Sequence, residues 1–211
     1  MYKNYLFDFD GTLVDSMPTY VGVMLRILNE NNIAYGDDLI KIITPLGFIY
    51  TAKYFREELG LDMPQDDIVA VMRKYATYEY ANNIPAKSNV IEICRELKKR
   101  GCNLNVLTAS PHTSLDPCLK RLGIWDLFTN IWSCDDFGTN KADPAIYHMA
   151  AEKIGAPVTE IVFLDDNLNA DLTAKKAGMP VYGVYDDSSR DSVDEMKAIC
   201  DRYIYDFSEL L

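Results

Sequence analysis

The first apolar run is short and nearly unbroken: Tyr5, Leu6, Phe7 and Phe9 stand within six residues. A run of that length bounded by charge reads as a strand buried on both faces of a parallel sheet. It leads straight into Asp10-Gly11-Thr12, a sharp turn. Beyond the turn the period lengthens. Ser16 stands where an N-cap would, Pro18 suits a first helical turn, and Tyr20, Val21, Met24, Leu25 and Leu28 form a stripe at helical spacing. Helical patterning continues over residues 36–84, with breaks at Thr44-Pro45, at Gly60 and near Pro64.

From about residue 86 the texture alternates. Val90, Ile91, Cys94 and Leu97 share a helical face that ends in Lys98-Lys99-Arg100 and Gly101, a basic last turn and its C′ glycine. Strands are predicted from Asn103 to Leu107, near 129–133, over Ile161–Leu164 and over Val181–Val184. Between them, helices are predicted near 114–122, near 144–154 and up to Ala177, with Gly123, Gly155 and Gly178 following. Alternation of this kind predicts an α/β fold, a parallel sheet with helices on both faces. The helical block interrupts it once. The predicted organisation is therefore a core of residues 1–15 and 86–211 with an inserted helical cap at 16–85.

Composition narrows the functional classes. The 211 residues are 48% hydrophobic and 25% charged, ordinary for a globular chain. No apolar run approaches the roughly 20 residues that span a bilayer, and the charged N-terminal segment lacks a signal-peptide core, so the cytoplasm is the expected compartment and no membrane partner is expected. Cys94, Cys102, Cys118, Cys134 and Cys200 show no metal-binding spacing and are expected to be reduced, mostly buried thiols. A formal net charge of −11 argues against a nucleic-acid partner, which needs a basic footprint. An acidic protein that handles phosphate esters must bring in positive charge locally, and a bound metal would do so.

Sites in open α/β sheets form beyond the carboxyl ends of strands. Acids and hydroxyls gather at those ends here: Asp8 and Asp10, Thr108 and Ser110, Asp165 and Asp166, with Lys141 ahead of a helix. Two acids two residues apart, with another from a neighbouring strand, are a hard oxygen set suited to Mg²⁺. Thr108 can donate to a phosphoryl oxygen and Lys141 can supply a fixed positive charge. Positioning and charge stabilisation are most of what phosphoryl transfer requires.

The residues also carry a resemblance. Asp8-Phe9-Asp10-Gly11-Thr12-Leu13-Val14-Asp15-Ser16 resembles motif I of the haloacid dehalogenase (HAD) superfamily, and Leu107-Thr108-Ala109-Ser110 is similar to motif II. Lys141-Ala142-Asp143-Pro144-Ala145-Ile146-Tyr147 resembles motif III, and Phe163-Leu164-Asp165-Asp166 through Asp171 and Ala177-Gly178 resembles motif IV. The four occur in order over nearly the whole chain. The helical insertion falls where the C1 cap of the phosphoglycolate phosphatase and β-phosphoglucomutase branch belongs.

That resemblance implies a HAD-like Rossmannoid core and a magnesium-dependent phosphatase working through an aspartyl-phosphate. It implies Asp8 as nucleophile, Asp10 as general acid and then base, and metal binding by Asp8, the Asp10 carbonyl and Asp166. Thr108, Ala109 and Lys141 would bind the phosphoryl group, with Gly11, Thr12, Asp165 and Asp171 in support. Ala142 departs from the usual proline after the lysine, and Asp166 lies one residue further from Asp171 than in the common form.

The expected partner is a small phosphate monoester and the expected state a monomer or weak dimer. A sugar-phosphate mutase is the alternative enzyme, and a phosphoester-binding protein without turnover the alternative of another class. Asp10 argues against halide displacement, which needs no proton. The loop Thr44-Pro45-Leu46-Gly47-Phe48, where this branch contacts its leaving group, is apolar and suggests a small or partly apolar one. His148 reads as structural, His112 as a loop residue close enough to touch substrate, Tyr75-Tyr78-Tyr80 as helix packing and Asp135-Asp136 as a solvated loop.

Overall fold

The structure is a computed structural model that describes residues 2–44 and 46–211. Six parallel strands form one sheet in the order β3-β2-β1-β4-β5-β6. They are β1 (Asn4–Phe7), β2 (Asn103–Thr108), β3 (Asn130–Ser133), β4 (Ile161–Asp165), β5 (Val181–Val184) and β6 (Arg202–Ile204). The central strand β1 is buried throughout, which is why its sequence reads as a run and not as an alternation.

Alternate residues of the strands serve opposite faces. Leu6, Leu107, Phe163 and Val181 pack against Tyr147 and Ala150 of α7 (Ala145–Ile154) and Ala174 of α8 (Leu168–Lys176). On the other face Phe7 stacks on Phe207 at 6.0 Å and meets Phe128 edge-on at 6.2 Å. The remaining helices of this part are α5 (Val90–Lys99), α6 (His112–Arg121) and α9 (Val193–Ile199).

Several local expectations are corrected. The pattern gives no hint of β6, whose three residues include only one buried side chain, too little for a period to register. Helix α6 begins at His112, two residues before its expected start, after an extended Pro111. Ser16 holds the N-cap position of α1 (Met17–Glu30), but its backbone is already helical and its side chain makes no capping bond. Asp135 and Asp136 are exposed, as expected, but they stand in a short 3₁₀ turn, Cys134–Phe137, that Ser133 and Asp136 close with a capping box.

The chain divides into two compact units, one running to Asp15 and resuming at Pro85, the other Ser16–Ile84. The second is helical: α1, α2 (Leu39–Ile43), α3 (Gly47–Glu57) and α4 (Gln65–Asn82). Its interior holds Met24, Leu28, Phe55 and Met72, and Tyr20 stacks on Phe48 at 4.5 Å. Tyr80 is buried, whereas Tyr75 lies under the Arg26 guanidinium at 4.0 Å and Tyr78 faces solvent. Within the 44–48 loop, Pro45 lies outside the described residues.

Candidate active site

Strand β1 ends at Phe7, and the next amide, Asp8 N, still donates to Leu164 O at 2.8 Å. That bond carries Asp8 to the carboxyl edge of the sheet, level with Asp165 at the end of β4. Asp8 is 5% exposed and Asp165 1%. Between them lies the Lys141 ammonium, bonded to Asp8 Oδ1 and, at 2.8 Å, to Asp165 Oδ2. The other Asp165 oxygen accepts from Asn167 N at 2.8 Å. Tyr147 fixes the lysine's own backbone by donating to Lys141 O at 3.2 Å, and it also reaches Ala170 O at 3.1 Å.

The turn after Phe9 brings in the next groups. Gly11 has a φ of +74°, and a Cβ there would lie 2.5 Å from Asp166 Oδ2. Only glycine fits so close an approach. Thr12 Oγ1 then donates to Asp166 Oδ1 at 3.0 Å. Asp10 is drawn toward β2, where Ser110 Oγ donates to its Oδ2 at 2.5 Å. Thr108 ends β2 buried, its Oγ1 accepting from Ser110 N at 3.0 Å, and Ala109 beside it is exposed. Asn167 caps α8 by accepting from the amides of Asn169 and Ala170, which starts the helix right after Asp166.

Among the described residues, Asp8, Asp165 and Asp166 form a group whose ligand atoms lie within 4.8 Å of one another. Burial pushes the Asp8 carboxyl up to about 8, against the pull of Lys141 and with the repulsion of Asp165 and Asp10. Burial, with repulsion from Asp165 and Asp8, holds Asp166 well above the usual carboxylate range. Burial alone would lower Lys141, but Asp165 and Asp8 outweigh it and keep the ammonium charged. Three carboxyl groups share this mostly buried site with one ammonium, which bonds two of them. Hard oxygen donors of this kind fit a divalent cation.

Other expected residues have different surroundings. Asp171 is fully buried; its Oδ2 accepts from Cys200 Sγ at 3.3 Å and its Oδ1 has no hydrogen-bond partner. Burial and the charge of Asp165 raise its carboxyl to about 9. His112 does not stand in a loop. It opens α6 with Nδ1 2.7 Å from Asp116 Oδ1 and Nε2 2.8 Å from Asp136 Oδ2. Asp143 ties its own turn, accepting from Ala145 N at 2.9 Å. His148 is exposed.

Lys87 and Asp186 escape a reading by motif. Lys87 Nζ reaches Gly11 O, Tyr185 O and Asp186 Oδ2 at 2.7, 2.5 and 2.9 Å. An isolated lysine after Pro-Ala, and an acid in an Asp-Asp-Ser-Ser run, give no sequence signal of this meeting.

A family model described as a haloacid dehalogenase-like hydrolase matches residues 2–178. The phosphoglycolate phosphatase of Yersinia pseudotuberculosis is 27% identical, the match covering 86% of this chain and 80% of that protein. The pyrophosphatase PpaX of Bacillus velezensis is 27% identical over 85% of this chain and 81% of its own. Among solved structures, CbbY of Rhodobacter sphaeroides in complex with phosphate superposes with a TM-score of 0.80 at 22% identity. That superposition covers 100% of this chain and 96% of CbbY.

Proposed function

The chain belongs to the haloacid dehalogenase-like hydrolase family and is a phosphatase-type enzyme, and we propose that it hydrolyses a small phosphate monoester through an aspartyl-phosphate on Asp8. One observation carries this reading: the buried Asp8 carboxylate is held by Lys141, with Asp10 next to it and Asp166 within its ligand group. The relatives named for phosphoglycolate and pyrophosphate support a small phosphorylated substrate.

Asp8 attacks phosphorus with a carboxylate oxygen, and the bond from phosphorus to the leaving oxygen breaks. Asp10, steadied by Ser110, gives its proton to that oxygen. In the second step Asp10 takes a proton from water as the water oxygen bonds to phosphorus. The Asp8–phosphorus bond then breaks and inorganic phosphate leaves. Lys141 orients the Asp8 carboxylate and stabilises the phosphoryl oxygens, and Thr108 with the exposed Ala109 edge lines their side of the site.

Magnesium is the proposed cofactor. Asp8, Asp166 and the Asp10 carbonyl would hold it, Asp165 being engaged by Lys141 and Asn167. When bound it supplies charge neutralisation that lets a carboxylate approach an anionic phosphoryl group. Residues 16–84 are the proposed cap.

Hydrolysis of p-nitrophenyl phosphate with and without Mg²⁺, in the native protein and in Asp8→Asn, tests the reading. Mg²⁺-dependent turnover in the first and none in the second is expected; activity surviving in Asp8→Asn overturns it. A screen of phosphorylated metabolites that follows released phosphate against isomerised sugar phosphate then distinguishes hydrolysis from mutase chemistry.

A further inference from the structure

Lys87 lies on the segment that leads into α5, and that segment is itself pinned. Lys87 N donates to Leu13 O at 3.0 Å and Pro85 O accepts from Asp15 N at 3.0 Å, so residues 85–87 run antiparallel to 13–15. The side chain turns under the motif I loop with only 17% of its surface exposed, and the Asp186 side chain it meets is 6% exposed. An ammonium has three protons and no acceptor. Here all three are used: on the carbonyls of Gly11 and Tyr185 and on Asp186.

The acceptors say what the clamp holds. Asp186 is bound from its other side by Ser188 N and Ser188 Oγ at 2.9 and 2.6 Å, so the loop after β5 is a fixed anchor. Burial would raise the Asp186 carboxyl, but the bonds from Ser188 and Lys87 outweigh it and keep it ionised. Gly11 is the other end of the clamp, its N–H donating to Val14 O at 2.9 Å and its carbonyl accepting from Lys87. Its carbonyl belongs to the peptide that joins it to Thr12, and Thr12 carries the bond to Asp166. Rotation of that peptide would shift Asp10 on one side and Asp166 on the other.

We propose that Lys87 is a positioning residue for phosphoryl transfer. It ties the Gly11 carbonyl to the end of β5 and so sets where Asp10 and Asp166 stand. The assignment rests on the phosphatase reading above. A lysine that merely stabilised the fold would give up Tm and leave the geometry of the reacting groups alone.

Two variants separate those roles. Lys87→Met removes all three bonds at little change in volume, while Asp186→Asn keeps the bond to Gly11. With p-nitrophenyl phosphate, Lys87→Met should lose about 10- to 100-fold in kcat, the scale of a misplaced catalytic group. Its KM should shift by less than about threefold, since substrate binding is not what is lost. Hydrogen exchange at residues 10–13 should quicken by about tenfold or more in Lys87→Met and not in β2. Asp186→Asn should lower Tm yet retain kcat within about threefold of native.

A folded Lys87→Met with native kcat, or with native exchange at 10–13, overturns the proposal. So does an equal loss of kcat in Asp186→Asn, which would mark a general loosening. If Lys87→Met does not fold, Lys87→Gln takes its place: slowed turnover with faster exchange at 10–13 supports the clamp, and native values of either overturn it. If the native protein hydrolyses no phosphate ester, the phosphatase reading fails by itself. The exchange arm then decides whether Lys87 holds Gly11.

Discussion

The two units bury different things. Among the described residues of the helical unit, the only buried polar side chains are Ser16 and Thr51, and no charged side chain is buried. The sheet unit buries Asp8, Asp165, Asp166, Asp171 and Asp186, each under one-tenth exposed. A buried carboxylate costs several kcal/mol unless donors replace its water, so it persists only where something else selects it. The donors are distributed unevenly. Asp186 and Asp165 are each held by a lysine and by a main-chain N–H. Asp166 has Thr12, and Asp171 has a thiol. The helical unit is organised for packing, while the sheet unit also buries ionisable groups: bonds hold Asp186 ionised, whereas burial disfavours the charge of Asp8, Asp166 and Asp171.

The most severe test of that contrast is Asp8→Asn. It should remove turnover by a factor on the order of 10⁴ or more if Asp8 is the nucleophile proposed above. Yet Tm should hold or rise, because burial disfavours the Asp8 charge that the substitution deletes. A lower Tm would mean that Asp8 supports the fold. Next, Lys141→Met leaves Asp8 and Asp165 buried without their ammonium. Breaking such a pair costs about 3–5 kcal/mol, measurable by urea unfolding, and kcat should fall with it. Lys141→Met with native stability would break the comparison from the other side.

In the helical unit the expected losses come from volume. Leu28→Ala, at a fully buried position, should cost about 2–5 kcal/mol through lost transfer energy and the cavity left behind. Its cost should not vary between about pH 5 and 8, the range in which perturbed acids would titrate, because no acid is buried beside it in its own unit. The smallest effect belongs to His112. Hydrogen bonds to Asp116 and then Asp136 raise its pKa from the ordinary value. A raised imidazolium stabilises the fold fully below the unfolded pKa of about 6.5 and loses that contribution as pH rises through the folded value. The Tm gap between native protein and His112→Gln should therefore be widest below that unfolded pKa and close on the alkaline side. A gap that widens with pH would assign His112 a different partner.

Much of the architecture was legible because a buried strand and an amphipathic helix announce themselves locally. Ile161–Leu164 is apolar at every position and β4 is buried at every position. Val90, Cys94 and Leu97 share a face and all are buried. Asp8, Asp10, Thr108, Lys141 and Asp165-Asp166 could be nominated together because each closes a strand or opens a helix on the same edge of a parallel sheet. Strand β6 was not legible, since its three residues hold one buried side chain against an edge. The turn at Cys134–Phe137 was not either, because a run of two acids looks the same whether water or Ser133 and His112 bind it.

What the sequence determined by itself was the order of strands and helices as far as β5, the helical interruption after β1 and the acids at the strand ends. These are properties of neighbouring residues and of the period at which apolar side chains recur. Only the tertiary structure decided which polar group meets which: Ser110 on Asp10, Cys200 on Asp171, and Lys87 on carbonyls 76 and 98 positions away in the chain. A hydrogen bond has a reach of about 3 Å and leaves no periodic trace. Such pairings exist only once the sheet register has brought distant loops to the same edge.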